Sequence, residues 1–217
     1  MKLAALLLLV VVALAVPAPA YVLCCRWEAT ERYVPPPGPT IAVDVNGTGT
    51  NLTAQDVWDA VETAAGVWNA QTGMGFRFAL RGWTTTTDRT GRLVVYPAPL
   101  AGLATASNAW DNPYWEIVNG QVVQYQDAGR IWGSELRIAT GRSWAPVTDP
   151  CRAGTYDLTS VLVHELGHVV GLSHSDVAGS VMRPTYAGCR HWTLGADDVA
   201  GVRALYRPRD PYRVGAV

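Results

Sequence analysis

Charge is scarce in this chain of 217 residues: 16% of the residues are charged, against roughly 25% in an average soluble domain, while 49% are hydrophobic. Lysine is almost missing, Lys2 being the only one. The formal net charge of -1 leaves no basic excess to hold nucleic acid or an anionic membrane surface, so neither is expected as a partner. After the first residues no apolar run is long enough to span a bilayer. Histidine and cysteine are also few, four of each, which makes their positions informative.

What is abundant comes first in the chain. Lys2 precedes an unbroken apolar run from Leu3 to Val16, followed by Pro17-Ala18-Pro19-Ala20. The run is shorter than the ~20 residues of a spanning helix, and Ala18 and Ala20 supply the small-x-small pattern of a cleavage site. Residues 1–20 therefore read as a secretory signal peptide, cut before Tyr21, and the product as secreted, extracellular and free of the membrane. In that compartment cysteines form disulfides. Cys24 and Cys25 are adjacent, with Cα atoms about 3.8 Å apart where a disulfide usually wants about 4.4 to 6.8 Å. The expectation is that each reaches a distant partner, Cys151 or Cys189, in either of two pairings, the alternative being two free thiols beside one bridge.

Residues 21–40 read as a tail ending in the stiff spacer Pro35-Pro36-Pro37-Gly38-Pro39, and 41–217 as one folded domain. Ile41 to Val45 alternates like a strand. Thr53 with Asp56 starts a helix whose apolar positions Val57, Val61, Ala64, Ala65 and Trp68 repeat at helical spacing up to Gly73. Strands follow at Phe76 to Arg81 and at Leu93 to Tyr96. Asn119-Gly120 between two alternating runs is a hairpin signal, and Glu135 to Thr140 reads as a further strand. Asp157 can cap a helix from Leu158 to about Val170, and Ala196 to Tyr206 forms the last helix. Strands early and helices late give an α+β domain.

The chemistry is concentrated in His164-Glu165-Leu166-Gly167-His168, an H-E-x-x-H inside that predicted helix. Four residues of separation put both imidazoles on one face, able to grip one metal ion, while Glu165 lies about 100° round the helix, placed as a base and not as a ligand. The motif continues through Gly171 to His174. A glycine there lets the chain leave the helix in a left-handed conformation and bring His174 back to the same ion. Three neutral nitrogens leave a fourth coordination site open, the catalytic arrangement of zinc.

With serine following the third histidine at Ser175, this stretch resembles the metzincin metallopeptidases, and among them the matrixins. Ser180-Val181-Met182-Arg183-Pro184-Thr185-Tyr186 is similar to the Met-turn and pocket wall of that family, and Leu194 to Tyr206 to its final helix. The resemblance implies a zincin-like fold: a twisted, mostly parallel sheet of about five strands with an antiparallel edge strand, an active-site helix, a Met-turn and a C-terminal helix, making 41–217 a metallopeptidase catalytic domain. It implies Met182 as an apolar floor beneath the zinc ligands. Pro184 and Tyr186 would wall the pocket for the side chain after the scissile bond, facing Ser160 and Val161. Gly102 to Ala106 would be the edge strand that takes an extended substrate. The inhibitory Pro-Arg-Cys-Gly setting of the family has no match around Cys24-Cys25-Arg26-Trp27.

The implied activity is that of a secreted zinc endopeptidase, a monomer acting on protein or peptide, with Glu165 activating a metal-held water. The rival reading is a non-catalytic secreted binding module on the same scaffold, using Trp110, Tyr114, Trp115 and Trp132; the intact Glu165 speaks against it. The expected cofactor is one catalytic zinc. Only His191 is left for a second, structural zinc, and Thr105 stands where the edge-strand histidine of such a site would be. Calcium, which needs only oxygen ligands, stays possible.

Overall fold

The computed structural model describes residues 25–27, 40–71, 75–111, 114–118, 121–125 and 129–206. Residues 1–20, expected to be a signal peptide, Cys24 and the proline spacer lie outside them. In chain order the elements are β1 (Cys25–Trp27), β2 (Thr40–Val45), α1 (Ala54–Asn69), β3 (Arg77–Trp83), β4 (Leu93–Ala98), β5 (Ala104–Asp111), β6 (Tyr114–Val118) and β7 (Gln121–Tyr125). After these come β8 (Gly129–Ala139), β9 (Trp144–Ala145), β10 (Tyr156–Asp157), α2 (Leu158–Val169) and α3 (Ala196–Tyr206). None of the described helices is long and apolar enough to cross a membrane.

Helix α1 begins where the sequence places it. The Asp56 N–H donates to the Thr53 hydroxyl and the Thr53 N–H to the Asp56 carboxylate, a reciprocal cap that satisfies two otherwise orphaned donors. It buries Val57, Ala60, Val61, Ala64, Ala65 and Trp68. The helix stops at Asn69, short of the Gly73 expected. The Asn69 amide there exchanges two hydrogen bonds with the backbone of Phe78, fastening the helix end to β3.

Four strands run parallel in the order β3-β2-β4-β8, and β5 lies antiparallel on the far side of β8. This is the mostly parallel sheet with an antiparallel edge strand that the family resemblance implies. Two features differ from expectation. Residues 25–27, assigned to the tail, form β1 and pair in parallel with Gly129, Arg130 and Ile131 of β8. Strand β8 starts at Gly129 rather than Glu135. Gly133 looks like a strand breaker, but a Cβ there would lie 2.2 Å from the carbonyl oxygen of Arg89, so the glycine allows a neighbouring backbone to cross the strand closely. Strands β6 and β7 form the expected hairpin, with Val118 opposite Gln121.

The core lies between the sheet and the helices. Ile41, Val43, Leu93, Val95, Leu136 and Ile138 face α1 and α2 through Trp68, Leu158, Leu162 and Leu166 in one cluster of buried residues. Burying each such side chain contributes on the order of 1.5–3 kcal/mol. The Trp68 indole N–H donates to the carbonyl of Val163 at 3.0 Å, so one of the two fully buried core tryptophans also fixes α1 against the helix that carries the motif.

A polar group on the sheet is tied just as closely. The Asp44 carboxylate, 6% exposed, accepts two hydrogen bonds from Arg81 (3.0 and 2.6 Å) and one from Arg92 (3.1 Å). Hydrogen bonding from Arg81 holds the Asp44 carboxyl below the ordinary carboxylate range; burial opposes this, and the Arg81 and Arg92 charges assist. A depressed folded-state pKa adds stability that is present above the unfolded value of about 3.9 and disappears as pH falls through the folded value. Arg81 is half exposed, so Asp44→Asn should lower stability by only about 1 kcal/mol at pH 7. The gap from wild type in urea unfolding should narrow as pH falls below the unfolded value of about 3.9. A gap of constant size from pH 7 to pH 2.5 would contradict this account.

Candidate active site

Helix α2 is capped by Asp157, whose carboxylate accepts from the Ser160 N–H, and it carries His164 and His168 one turn apart. The turn after it depends on Gly171 at φ 98°, a conformation open to glycine. Its N–H still bonds the His168 carbonyl, and Leu172 N–H bonds Gly167, closing the helix end. The chain then returns His174. One ring nitrogen from each of His164, His168 and His174 lies within 4.8 Å of the other two. Among the described residues this is the one cluster of three or more His, Cys, Asp or Glu side chains that could hold a metal.

The donor set fits zinc. The Nδ1 of His164 donates to the Val181 carbonyl and the Nδ1 of His168 to the Leu172 carbonyl, each at 2.7 Å. A carbonyl can only accept, so both rings carry their proton on Nδ1 and present the Nε2 lone pair inward. The two Nε2 atoms stand 3.1 Å apart. Burial, then the neighbouring His168, pushes His164 down to about 4, and burial also lowers His168. Neutral imidazole is the ligating form.

Glu165 is 7% exposed and lies outside that nitrogen cluster. Burial raises its carboxyl to about 7, partly offset by a hydrogen bond from the Ala106 N–H of β5. A carboxyl titrating near neutrality is suited to take up and release a proton. Asn108, also on β5, donates to the His168 carbonyl at 2.8 Å, so the edge strand is fastened to both ends of the motif.

Met182 is 1% exposed, and its sulfur sits 2.2 Å from where a Cβ on Gly167 would be. The middle glycine of the motif is therefore a contact surface for Met182. The turn holding Met182 is built on the start of α3. Buried Asp198 accepts from the Val181 N–H (2.9 Å), the Gly195 N–H (2.7 Å) and the Ser180 hydroxyl, while Asp197 accepts from the Ser175 hydroxyl at 2.6 Å. In the sequence these two aspartates stand out only as part of a helix similar to the family's last one. Adjacent acidic residues in a helical first turn were the available sign that its end binds something.

A cleft of about 670 Å³ joins these parts. It is lined by Ser160, Val161, Pro184 and Tyr186, all expected, by Gly102 to Asn108, and by Arg183 and His191, which the sequence did not single out for it. Tyr186 is not a core aromatic: the residue is 38% exposed and its hydroxyl accepts from the Asp157 N–H at 2.9 Å.

The disulfide expectation is corrected. Cys151 is bonded to Cys189, with Cα atoms 5.2 Å apart, so neither can hold Cys24 or Cys25. Excluding a bond between adjacent cysteines did not oblige the two tail residues to reach these loops. The folding of the loops before and after α2 brings Cys151 and Cys189 together directly.

Three convergent histidines, a buried glutamate on the same helix and a buried methionine packed against that helix make up a zinc-peptidase site of the metzincin kind. The Matrixin family model matches residues 38–207, and the chain belongs to the matrixin family of zinc endopeptidases. It is similar to matrix metalloproteinase-19 of Homo sapiens, 45% identical over 109 residues covering 48% of this chain and 18% of that protein. Against interstitial collagenase of Oryctolagus cuniculus it is 28% identical over 189 residues, 84% of this chain and 33% of the relative. Against matrilysin of Rattus norvegicus it is 50% identical over 52 residues, 23% of this chain and 20% of the relative. The match thus spans a third or less of the length of these proteins.

The packing of Met182 on Gly167 yields a direct test. Gly167→Ala should force the two apart, destabilise the fold by about 1–3 kcal/mol and weaken zinc retention against a competing chelator. Wild-type values in both measurements would mean that this contact does not support the site.

Proposed function

We propose that this chain is a secreted, zinc-dependent endopeptidase that acts as a monomer on protein or peptide substrates. The observation that carries the reading is convergence: three histidine nitrogens and the Glu165 carboxylate meet in one cleft, of which strand β5 forms the other side. When bound, zinc would acidify a water and polarise the scissile carbonyl. His164, His168 and His174 would hold it. Glu165 would take a proton from the attacking water on a carboxylate oxygen and pass it to the departing amine. Strand β5 is hydrogen-bonded to β8 on one side, so an extended substrate would lie along its other edge, over Ala104 to Asn108.

The pocket beside the zinc ligands supports an apolar side chain after the scissile bond. Val161, Pro184 and Tyr186 supply apolar surface, and the Ser160 hydroxyl is already committed, donating to Asp157 at 2.6 Å and accepting from the His191 N–H at 2.9 Å. Library cleavage should therefore select Leu, Met or Phe there; selection of Asp, Glu or Gly would refute the pocket. Export rests on the signal peptide, and N-terminal sequencing of the secreted product should begin at Tyr21.

The mechanism is tested at its base. Glu165→Ala should retain zinc and fold but lose on the order of 10² to 10⁴ in turnover, whereas His168→Ala should lose the metal itself. A Glu165→Ala variant as active as wild type would sink the mechanism. Metal analysis of chelator-washed, zinc-repleted protein should find one zinc per chain, and two tightly held ions would show that a second site exists.

A further inference from the structure

The wall from Pro184 to Trp192 has no helix or strand of its own, so no backbone ladder fixes its distance from the zinc helix. Apart from the His191 ring nitrogen, 3.3 Å from the Ser180 carbonyl, its hydrogen bonds to the body of the protein gather around one residue. The Asp157 carboxylate, fully buried, accepts from the Arg190 N–H at 2.7 Å, the Trp192 indole N–H at 2.8 Å and the Ser160 hydroxyl at 2.6 Å, all on one oxygen. Its other oxygen takes the Ser160 N–H at 3.3 Å, and its own N–H reaches the Tyr186 hydroxyl. No cation pairs with it among the described residues. One residue before Arg190, Cys189 is bonded to Cys151 in the loop leading to Asp157. Arg190 itself has φ 58°, alone among the described non-glycine residues in being positive. A backbone held there persists only where the surroundings determine it from several sides.

We propose that Asp157 and the Cys151–Cys189 bridge are a two-point clamp that sets the position of the 184–192 wall, and with it the side-chain selectivity of the pocket after the scissile bond. This inference rests on the peptidase reading above. Asp157 touches neither substrate nor zinc ligand in this reading; it is a positioning residue. It acts through Ser160, Tyr186 and the His191 backbone, all of which line or border the cleft. Aspartate suits this place because donors meet both of its oxygens, so the NH2 of an asparagine would stand against either the three donors on one side or the Ser160 N–H on the other. The covalent tie stops the wall from sliding along the helix end where the hydrogen bonds alone could re-form in a shifted register.

Three variants test the clamp by different routes: Asp157→Asn, Trp192→Phe, which deletes one donor and keeps an aromatic ring, and the double change Cys151→Ser with Cys189→Ser. Each should keep stoichiometric zinc. Peptides differing only in Leu or Ala after the scissile bond should lose about tenfold of their kcat/KM discrimination, mostly through KM for the Leu peptide. Hydrogen–deuterium exchange of residues 184–192 should quicken while that of 158–169 does not. If Asp157→Asn fails to fold, the other two variants decide. Unchanged discrimination and exchange in the folded variants would overturn the proposal, as would loss of kcat and zinc in step with discrimination. Should the wild-type chain cleave no peptide, the peptidase reading fails, and the exchange measurement still decides whether the clamp exists.

Discussion

Three imidazoles brought to one point, two of them partly buried, form an arrangement that an unconstrained chain would avoid, and much of this fold can be read as what holds them there. The helical repeat aligns His164 with His168, yet a helix alone leaves each ring free to rotate. Rotation is stopped by two backbone carbonyls, Val181 for His164 and Leu172 for His168. Both carbonyls come from segments after the helix. The helix therefore cannot orient its own ligands until the turn at Gly171 and the Met182 turn are in place.

Those later segments are held in turn by carboxylates that have no cationic partner among the described residues. Asp198 collects the Ser180 hydroxyl and the N–H groups of Val181 and Gly195, which sets the Val181 carbonyl on His164 and Met182 under Gly167. Asp157 does the same for the opposite wall. A buried carboxylate satisfied by backbone N–H groups is a demanding feature, since every donor must arrive with good geometry. For the same reason it fixes loop shape far more narrowly than apolar packing could, because a loop shifted by an ångström loses several charge-assisted bonds at once. The chain's low charge content is consistent with this use: its carboxylates at the site act as acceptors for backbone, and the Asp44–Arg81–Arg92 ion pairs stand apart on the sheet.

The parts of this design that were legible in the sequence are those whose signal is local. The Thr53–Asp56 cap, the H-E-x-x-H helix with its Asp157 cap and the hairpin between β6 and β7 each reside in a few consecutive residues, and each appears where expected. The sheet order and the pocket wall came from family resemblance, not from periodicity. What was not legible depends on contacts between distant segments. The pairing of Cys25 to Trp27 with β8 joins residues about a hundred positions apart through a three-residue strand, too short to show alternation. The first half of β8 was obscured by Gly133, whose purpose appears only once the Arg89 backbone is seen against it. The Cys151–Cys189 bond follows from loop closure around α2, which counting cysteines cannot supply.

In the sequence Asp157 reads as a helix cap, which is correct and incomplete. An N-cap needs one acceptor for the orphaned N–H groups of the first turn, and one oxygen of Asp157 serves that purpose with Ser160. Serine, threonine or asparagine would do as well by that criterion. The second oxygen faces away from the need of the helix and takes three donors, two of them from residues more than thirty positions later. One side chain thus starts the helix that bears the ligands and holds the wall opposite them. Any displacement of that wall is thereby measured from the same point as the metal site, so pocket shape and zinc geometry share one reference within the fold.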